Sequence, residues 1–96
     1  GFYIYFFVNK DGQVVYVGKT NFLSWRMAYH KSTREYWEDS YTVLYHEFKD
    51  INDDILVDIE SMLISLLNPV KNSKCADYDG NVDKYLKGFN LKEYKM

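Results

Sequence analysis

Cysteine and proline each occur once in the chain, at Cys75 and Pro69. A lone cysteine cannot close an intramolecular disulfide, and no Cys/His spacing resembles a zinc site, so a reducing, cytoplasmic setting is expected. No apolar run approaches the roughly 18 residues needed to span a bilayer, and no basic-then-apolar leader opens the sequence. Internal repeats and low-complexity linkers are missing too. Net positive charge is also scarce: 12 Lys+Arg against 14 Asp+Glu leave −2 at pH 7. That argues against a uniformly basic protein that coats nucleic acid or membrane through bulk charge.

What is present is aromatic and apolar. The 96 residues are 47% hydrophobic and 19% aromatic, far from the signature of disorder, and their number suits one domain spanning residues 1–96. The charge is unevenly spread. Residues 1–34 hold five basic side chains against one acid, for +4. Residues 35–60 hold nine acids against one lysine, for −8, and residues 61–96 return +2. The first block is therefore locally basic, and near neutrality of the whole does not exclude a phosphate-binding site there.

Phe2 to Val8 and Val14 to Gly18 read as two strands of a hairpin around Asn9-Lys10-Asp11-Gly12-Gln13. Either two-residue loop would put Tyr5 and Tyr16 on one face. A three-residue loop with a glycine bulge would separate them unless a further bulge restored them. Thr20-Asn21 offers caps for a helix over Phe22 to Lys31, in which Arg26 and His30 stack one turn apart. Thr33 to Ser40 is a polar and aromatic connection, and Tyr41 to Phe48 reads as a third strand. Asn52-Asp53-Asp54 caps the strongest helix, Ile55 to about Leu67, ended by Pro69. A modest helical pattern follows around Val82 to Phe89.

Within the strong helix, Asp54, Asp58, Ser61 and Ser65 share one stripe, while Leu56, Ile59, Leu63 and Leu67 share the opposite one. Glu60 lies with the leucines. A carboxylate beside a core face is costly unless a basic side chain or a cation pairs with it. Asp54 and Asp58, near a helix N-terminus, read as solvated, and His46, alternating within a strand, reads as structural.

A tyrosine pair, an Arg/His pair and a misplaced glutamate suit phosphodiester hydrolysis. A metal-held water needs a carboxylate ligand, developing phosphate charge needs a fixed guanidinium, and the attacking water needs a proton acceptor. Tyr3-Ile4-Tyr5, with Tyr16-Val17-Gly18 eleven residues on, resembles the two halves of the GIY-YIG nuclease signature. Family members also carry Arg-x-x-x-His on the next helix, matched by Arg26-Met27-Ala28-Tyr29-His30, and a helical Glu, matched by Glu60. Pro69-Val70-Lys71-Asn72 matches a Pro-x-x-Asn often found after that helix. The resemblance covers about residues 2–72, leaving 73–96 as a C-terminal extension. One departure is Tyr3, which stands where the signature has its first glycine.

The resemblance implies a small α/β (α+β) domain, a three-stranded antiparallel sheet flanked by helices. It also implies hydrolysis of DNA with one divalent cation, Mg²⁺ or Mn²⁺, and Glu60 as its protein ligand. Arg26 would hold the scissile phosphate. Tyr5 would position the attacking water, with His30 relaying its proton and Tyr16 organising hydrogen bonds. Lys19 resembles a lysine of the excision-repair branch that adds positive charge beside the tyrosines, and Asn72 would brace the site. Such a catalytic domain could serve a larger repair, restriction or mobile-element protein, with a targeting domain, protein partner or homodimer selecting the site. The competing expectation is a non-catalytic nucleic-acid-binding or protein-docking module on the same fold. Unaided DNA affinity is expected to be weak and to fall with salt.

Overall fold

The computed structural model describes residues 1–67, 69, 71 and 90–95. The chain runs β1 (Phe2–Val8), β2 (Val14–Thr20), α1 (Leu23–Thr33), β3 (Thr42–Phe48), α2 (Asp53–Leu67) and β4 (Lys92–Glu93). All strand pairings are antiparallel, in the order β2-β1-β3-β4. The sheet therefore has four strands where three were expected. The fourth is two charged residues long, too short to show an alternation. It pairs Glu93 with Leu44 and Lys92 with Tyr45 along β3, and the Tyr94 N–H donates to the Val43 carbonyl at 2.8 Å. The helical pattern expected around 82–89 and the bracing role expected of Asn72 lie outside the described residues.

The hairpin takes the third of the expected registers. Asn9 N–H donates to the Gln13 carbonyl at 2.9 Å and Gly12 N–H to the Asn9 carbonyl at 3.0 Å, which leaves Lys10-Asp11-Gly12 as the loop. Gly12 sits at φ 81°, the left-handed conformation that such a loop asks of its last residue. Asn9 Oδ1 accepts from the N–H groups of Asp11 and Gln13 at 3.0 and 2.9 Å, fixing the turn from within.

A second irregularity follows at once. Val8 pairs with Val14 but Phe7 pairs with Tyr16, so Val15 is an extra residue on β2. The bulge returns Tyr16 to the face carrying Tyr5 and Phe7. Chain beyond α2 fastens it, because Lys71 N–H donates to the Val15 carbonyl at 2.9 Å.

The sheet is covered on both sides. Ile4, Phe6, Val8, Val14 and Val17 face α2 and pack on Leu56, Leu63 and Leu67. Asn52 Oδ1 caps α2 by accepting from the Ile55 N–H at 2.9 Å, and Asp53 and Asp54 suit its first turn electrostatically. Asp54, Asp58, Ser61 and Ser65 are exposed, in line with the helical pattern. On the other face, Tyr5, Phe7, Val15 and Val43 meet Leu23 and Met27 of α1 together with Trp37 from the α1–β3 connection. β2 forms one edge of the sheet. Side chains from both layers can meet around that edge.

Candidate active site

Tyr5 is fully buried in the middle of β1, and its ring tip lies over the backbone of its β2 partner Gly18. A Cβ at Gly18 would run into the Tyr5 Cζ and hydroxyl. The glycine of the second motif thus exists to let the first motif's tyrosine lie across β2.

The Tyr5 hydroxyl is 2.7 Å from His30 Nε2 and 3.3 Å from Arg26 Nε. His30 Nδ1 is 2.8 Å from the Glu35 carbonyl oxygen. A carbonyl only accepts, so Nδ1 carries the proton and donates it. The neutral ring then offers a lone pair at Nε2, and Tyr5 O–H donates to it. Burial holds the His30 pKa below the ordinary value of 6.5, against the Glu35 carbonyl, and the Arg26 charge lowers it further. Neutral His30 is the form this geometry needs.

Burial pushes the Tyr5 phenol far above the usual tyrosine range, and nearby Tyr16 adds to the rise. Arg26 opposes the shift without cancelling it. Tyr5 is therefore an O–H group at neutral pH. Tyr16 is half-buried, its ring 6.1 Å from that of Tyr5. Burial raises its pKa as well, Glu60 adds to the rise, and Tyr5 and Arg26 work against it.

Glu60 arrives from the other layer. It lies on α2 one turn from Leu56 and Leu63, half-buried, and electrostatically within reach of Tyr16, Lys19 and Arg26 around the β2 edge. Burial raises its pKa above the ordinary 4.5, and Lys19 and then Arg26 oppose the rise. The hydrogen bonds and ion pairs among the described residues give its carboxylate no direct partner. Lys19 and Arg26 line a groove of about 390 Å³ with Asn21, Phe22, Trp25 and Asp53. Tyr5, Tyr16, Arg26 and His30 thus converge on the α1 face, with Lys19 and Glu60 at the β2 edge.

Two participants escaped sequence reasoning. The Glu35 carbonyl, which fixes the His30 tautomer, is a backbone group and carries no sequence signal. Tyr36 stacks on Tyr16 at 4.6 Å and 15°. Arg34 and Tyr36 have φ of 61° and 58°, so the chain makes two left-handed steps at non-glycine residues to put carbonyl and ring in place.

Glu60 suits a hard cation that keeps most of its waters. Among the described residues no group of three or more His, Cys, Asp and Glu side chains converges to form a dehydrating cage. A half-buried carboxylate with no direct partner among the described residues fits a site in which a hard cation takes a single protein carboxylate.

A family model described as the GIY-YIG catalytic domain matches residues 1–94. Neither the curated proteins nor the solved structures give a significant match.

Proposed function

Because the chain belongs to the GIY-YIG family, a family of nuclease domains, we propose that it is a divalent-metal-dependent DNA endonuclease hydrolysing phosphodiester bonds. Residues 1–96 are read as one catalytic domain, working in the cytoplasm. The observation that carries the reading is the junction at the Tyr5 hydroxyl, shared by His30 Nε2 at 2.7 Å and Arg26 Nε at 3.3 Å. A structural tyrosine needs no such arrangement of a base of fixed tautomer and a guanidinium on one hydroxyl.

Arg26 extends from that junction into the groove, where its guanidinium would hold the scissile phosphate and stabilise its developing charge. Lys19 adds a second positive charge beside it. Glu60 would hold Mg²⁺ or Mn²⁺, which when bound supplies Lewis acidity toward the phosphate and an acidified water.

The burial of Tyr5 moves its role one step inward from that suggested by family resemblance. Tyr16 is the more exposed of the two and would be the hydroxyl that meets water. In the proposed relay, water gives a proton to Tyr16 as its oxygen bonds to phosphorus. Tyr16 passes its own proton to Tyr5, and Tyr5 passes its own to His30 Nε2. Each tyrosine ends neutral, and His30 ends as imidazolium with Nδ1 still donating to the Glu35 carbonyl. The bond to the leaving sugar oxygen breaks, and solvent returns a proton to that oxygen. No free tyrosinate forms, which agrees with the raised pKa values of both phenols.

The test is incubation of the chain with single-stranded, supercoiled and branched DNA, with Mg²⁺ or Mn²⁺ and with EDTA. The expected result is metal-dependent cleavage of at least one substrate, abolished in Glu60→Ala. Inertness of the wild type on all three with either metal would overturn the reading. Equal DNA binding by wild type and Glu60→Ala without any cleavage would mark the fold as a binding module instead.

A further inference from the structure

The turn from β2 into α1 separates two cavities. On one side lies the groove holding Lys19 and Arg26, and on the other a cavity of about 650 Å³ against β1, β3 and residues 90–94. Asn21 and Phe22 line both. The ridge between them carries two large exposed rings, Phe22 at 62% and Trp25 at 60%.

Trp25 is buttressed from behind, stacking on Tyr29 at 5.7 Å and 18°, while the Arg26 guanidinium lies 5.0 Å over the same Tyr29 ring. One wall of the larger cavity is aromatic. Tyr45 meets Tyr3 edge-on at 6.1 Å and Tyr94 edge-on at 6.3 Å. Lys49 and Lys92 also line it, against Glu47. Each cavity thus has two cationic side chains against one carboxylate, beside the exposed Phe22–Trp25 ridge or a wall of half-buried tyrosines.

Exposed rings beside ammonium and guanidinium groups match a ligand that alternates flat bases with phosphates. A continuous duplex does not present that pattern, because its base faces are stacked on each other and only edges and phosphates remain outside. Resting on the nuclease reading above, we infer that the substrate carries unpaired nucleotides beside the scissile phosphate. One base stacks on the Phe22–Trp25 ridge and its neighbour enters the Tyr3/Tyr45/Tyr94 cavity, while the scissile phosphate on the groove side of the ridge base faces Arg26.

Binding and cleavage separate this inference from the reading beneath it. Fluorescence anisotropy in EDTA, at low salt, would compare labelled oligothymidylate with a labelled hairpin duplex of equal nucleotide number. The wild type should bind the single strand at least tenfold more tightly. Phe22→Ala/Trp25→Ala should lose about five- to hundredfold on the single strand, the loss of one stacked base, and less than twofold on the duplex. Both side chains are more than half exposed, so circular dichroism and thermal denaturation should match the wild type. With Mg²⁺, a duplex bearing a single-stranded flap should be cut at least tenfold faster than the continuous duplex. Equal affinity for both ligands, or single-strand binding unchanged in the double variant, would overturn the inference even if Glu60-dependent cleavage is robust. Single-strand preference that depends on the two rings, with no cleavage of any DNA, would uphold the binding site and overturn the nuclease reading.

Discussion

The two faces of the sheet are built from different chemistry. Toward α2, the strands present Ile4, Phe6, Val8, Val14 and Val17 to three leucines, with no polar side chain of the described residues buried among them. Toward α1, the same strands present Tyr5, Phe7 and Tyr16 to Met27 and to His30, the buried polar residue of the described chain. The aliphatic face is non-directional, each leucine contributing about 1.5–3 kcal/mol wherever it is kept from water. The aromatic face is directional. His30 sits 5.6 Å from the Tyr5 ring, 4.9 Å from Phe7 and 5.6 Å from Tyr16. Its hydrogen bonds define where each proton lies. One layer supplies stability and the other holds a polar constellation at some cost to it, with Glu60 the residue of the first layer that lies electrostatically within reach of the second.

That division can be broken from either side. The largest effect should come from Arg26→Ala, which lowers the cleavage rate by about 10³-fold in single-turnover assays, the scale expected for a phosphate-stabilising group. Its thermal unfolding should shift little, because the bond Arg26 Nε gives the Tyr5 hydroxyl is long, at 3.3 Å, and that hydroxyl keeps His30 at 2.7 Å. Leu63→Ala should do the reverse. Leu63 is 1% exposed against the aliphatic cluster, and its truncation should cost about 2–5 kcal/mol in urea unfolding. The folded fraction should keep its cleavage rate within about twofold.

Gly18→Ala sharpens the boundary, since its new methyl would meet the tip of Tyr5. A stability loss of about 1–3 kcal/mol is expected from overpacking, together with a fall in rate of about 10²-fold as the Tyr5 hydroxyl leaves His30. The smallest effect is on pH dependence. Because burial lowers the His30 pKa, the unfolded chain binds a proton near pH 6.5 that the folded chain refuses. The stability due to this group is complete above pH 6.5 and is lost as pH falls through the folded value. Urea midpoints should drop between about pH 7.5 and 5.5 in the wild type, and less in His30→Gln, whose amide can still meet Tyr5 and the Glu35 carbonyl.

The sequence exposes the aliphatic face more fully than the aromatic one. The α2 leucine stripe and its Asn52 cap follow from local periodicity and capping, and both strands of the hairpin follow from composition. The register does not. Three loops fit Asn9 to Gln13, and the one realised depends on a bulge at Val15 whose carbonyl is satisfied from Lys71, 56 positions along the chain. β4 is invisible for a related reason, because Lys92 and Glu93 become a strand only by pairing with β3. Of the proposed site, the side-chain motifs point to Tyr5, Tyr16, Arg26 and His30, which the fold brings to the α1 face, and to Lys19 and Glu60 at the β2 edge. Glu35 acts there through its backbone and Tyr36 through a left-handed turn, neither of which a motif encodes.

Glu60 joins the two layers, so its replacement tests the account most directly. Its folded pKa is raised by burial, against Lys19 and Arg26, so its ionisation at neutral pH works against stability. The decisive measurement is thermal denaturation and metal-dependent DNA cleavage of Glu60→Gln beside the wild type at about pH 7.5. A melting temperature equal to or above that of the wild type, with cleavage reduced by about 10³-fold or more, is the expected result. A lower melting temperature with cleavage retained would make Glu60 a structural residue and contradict the division between the two faces.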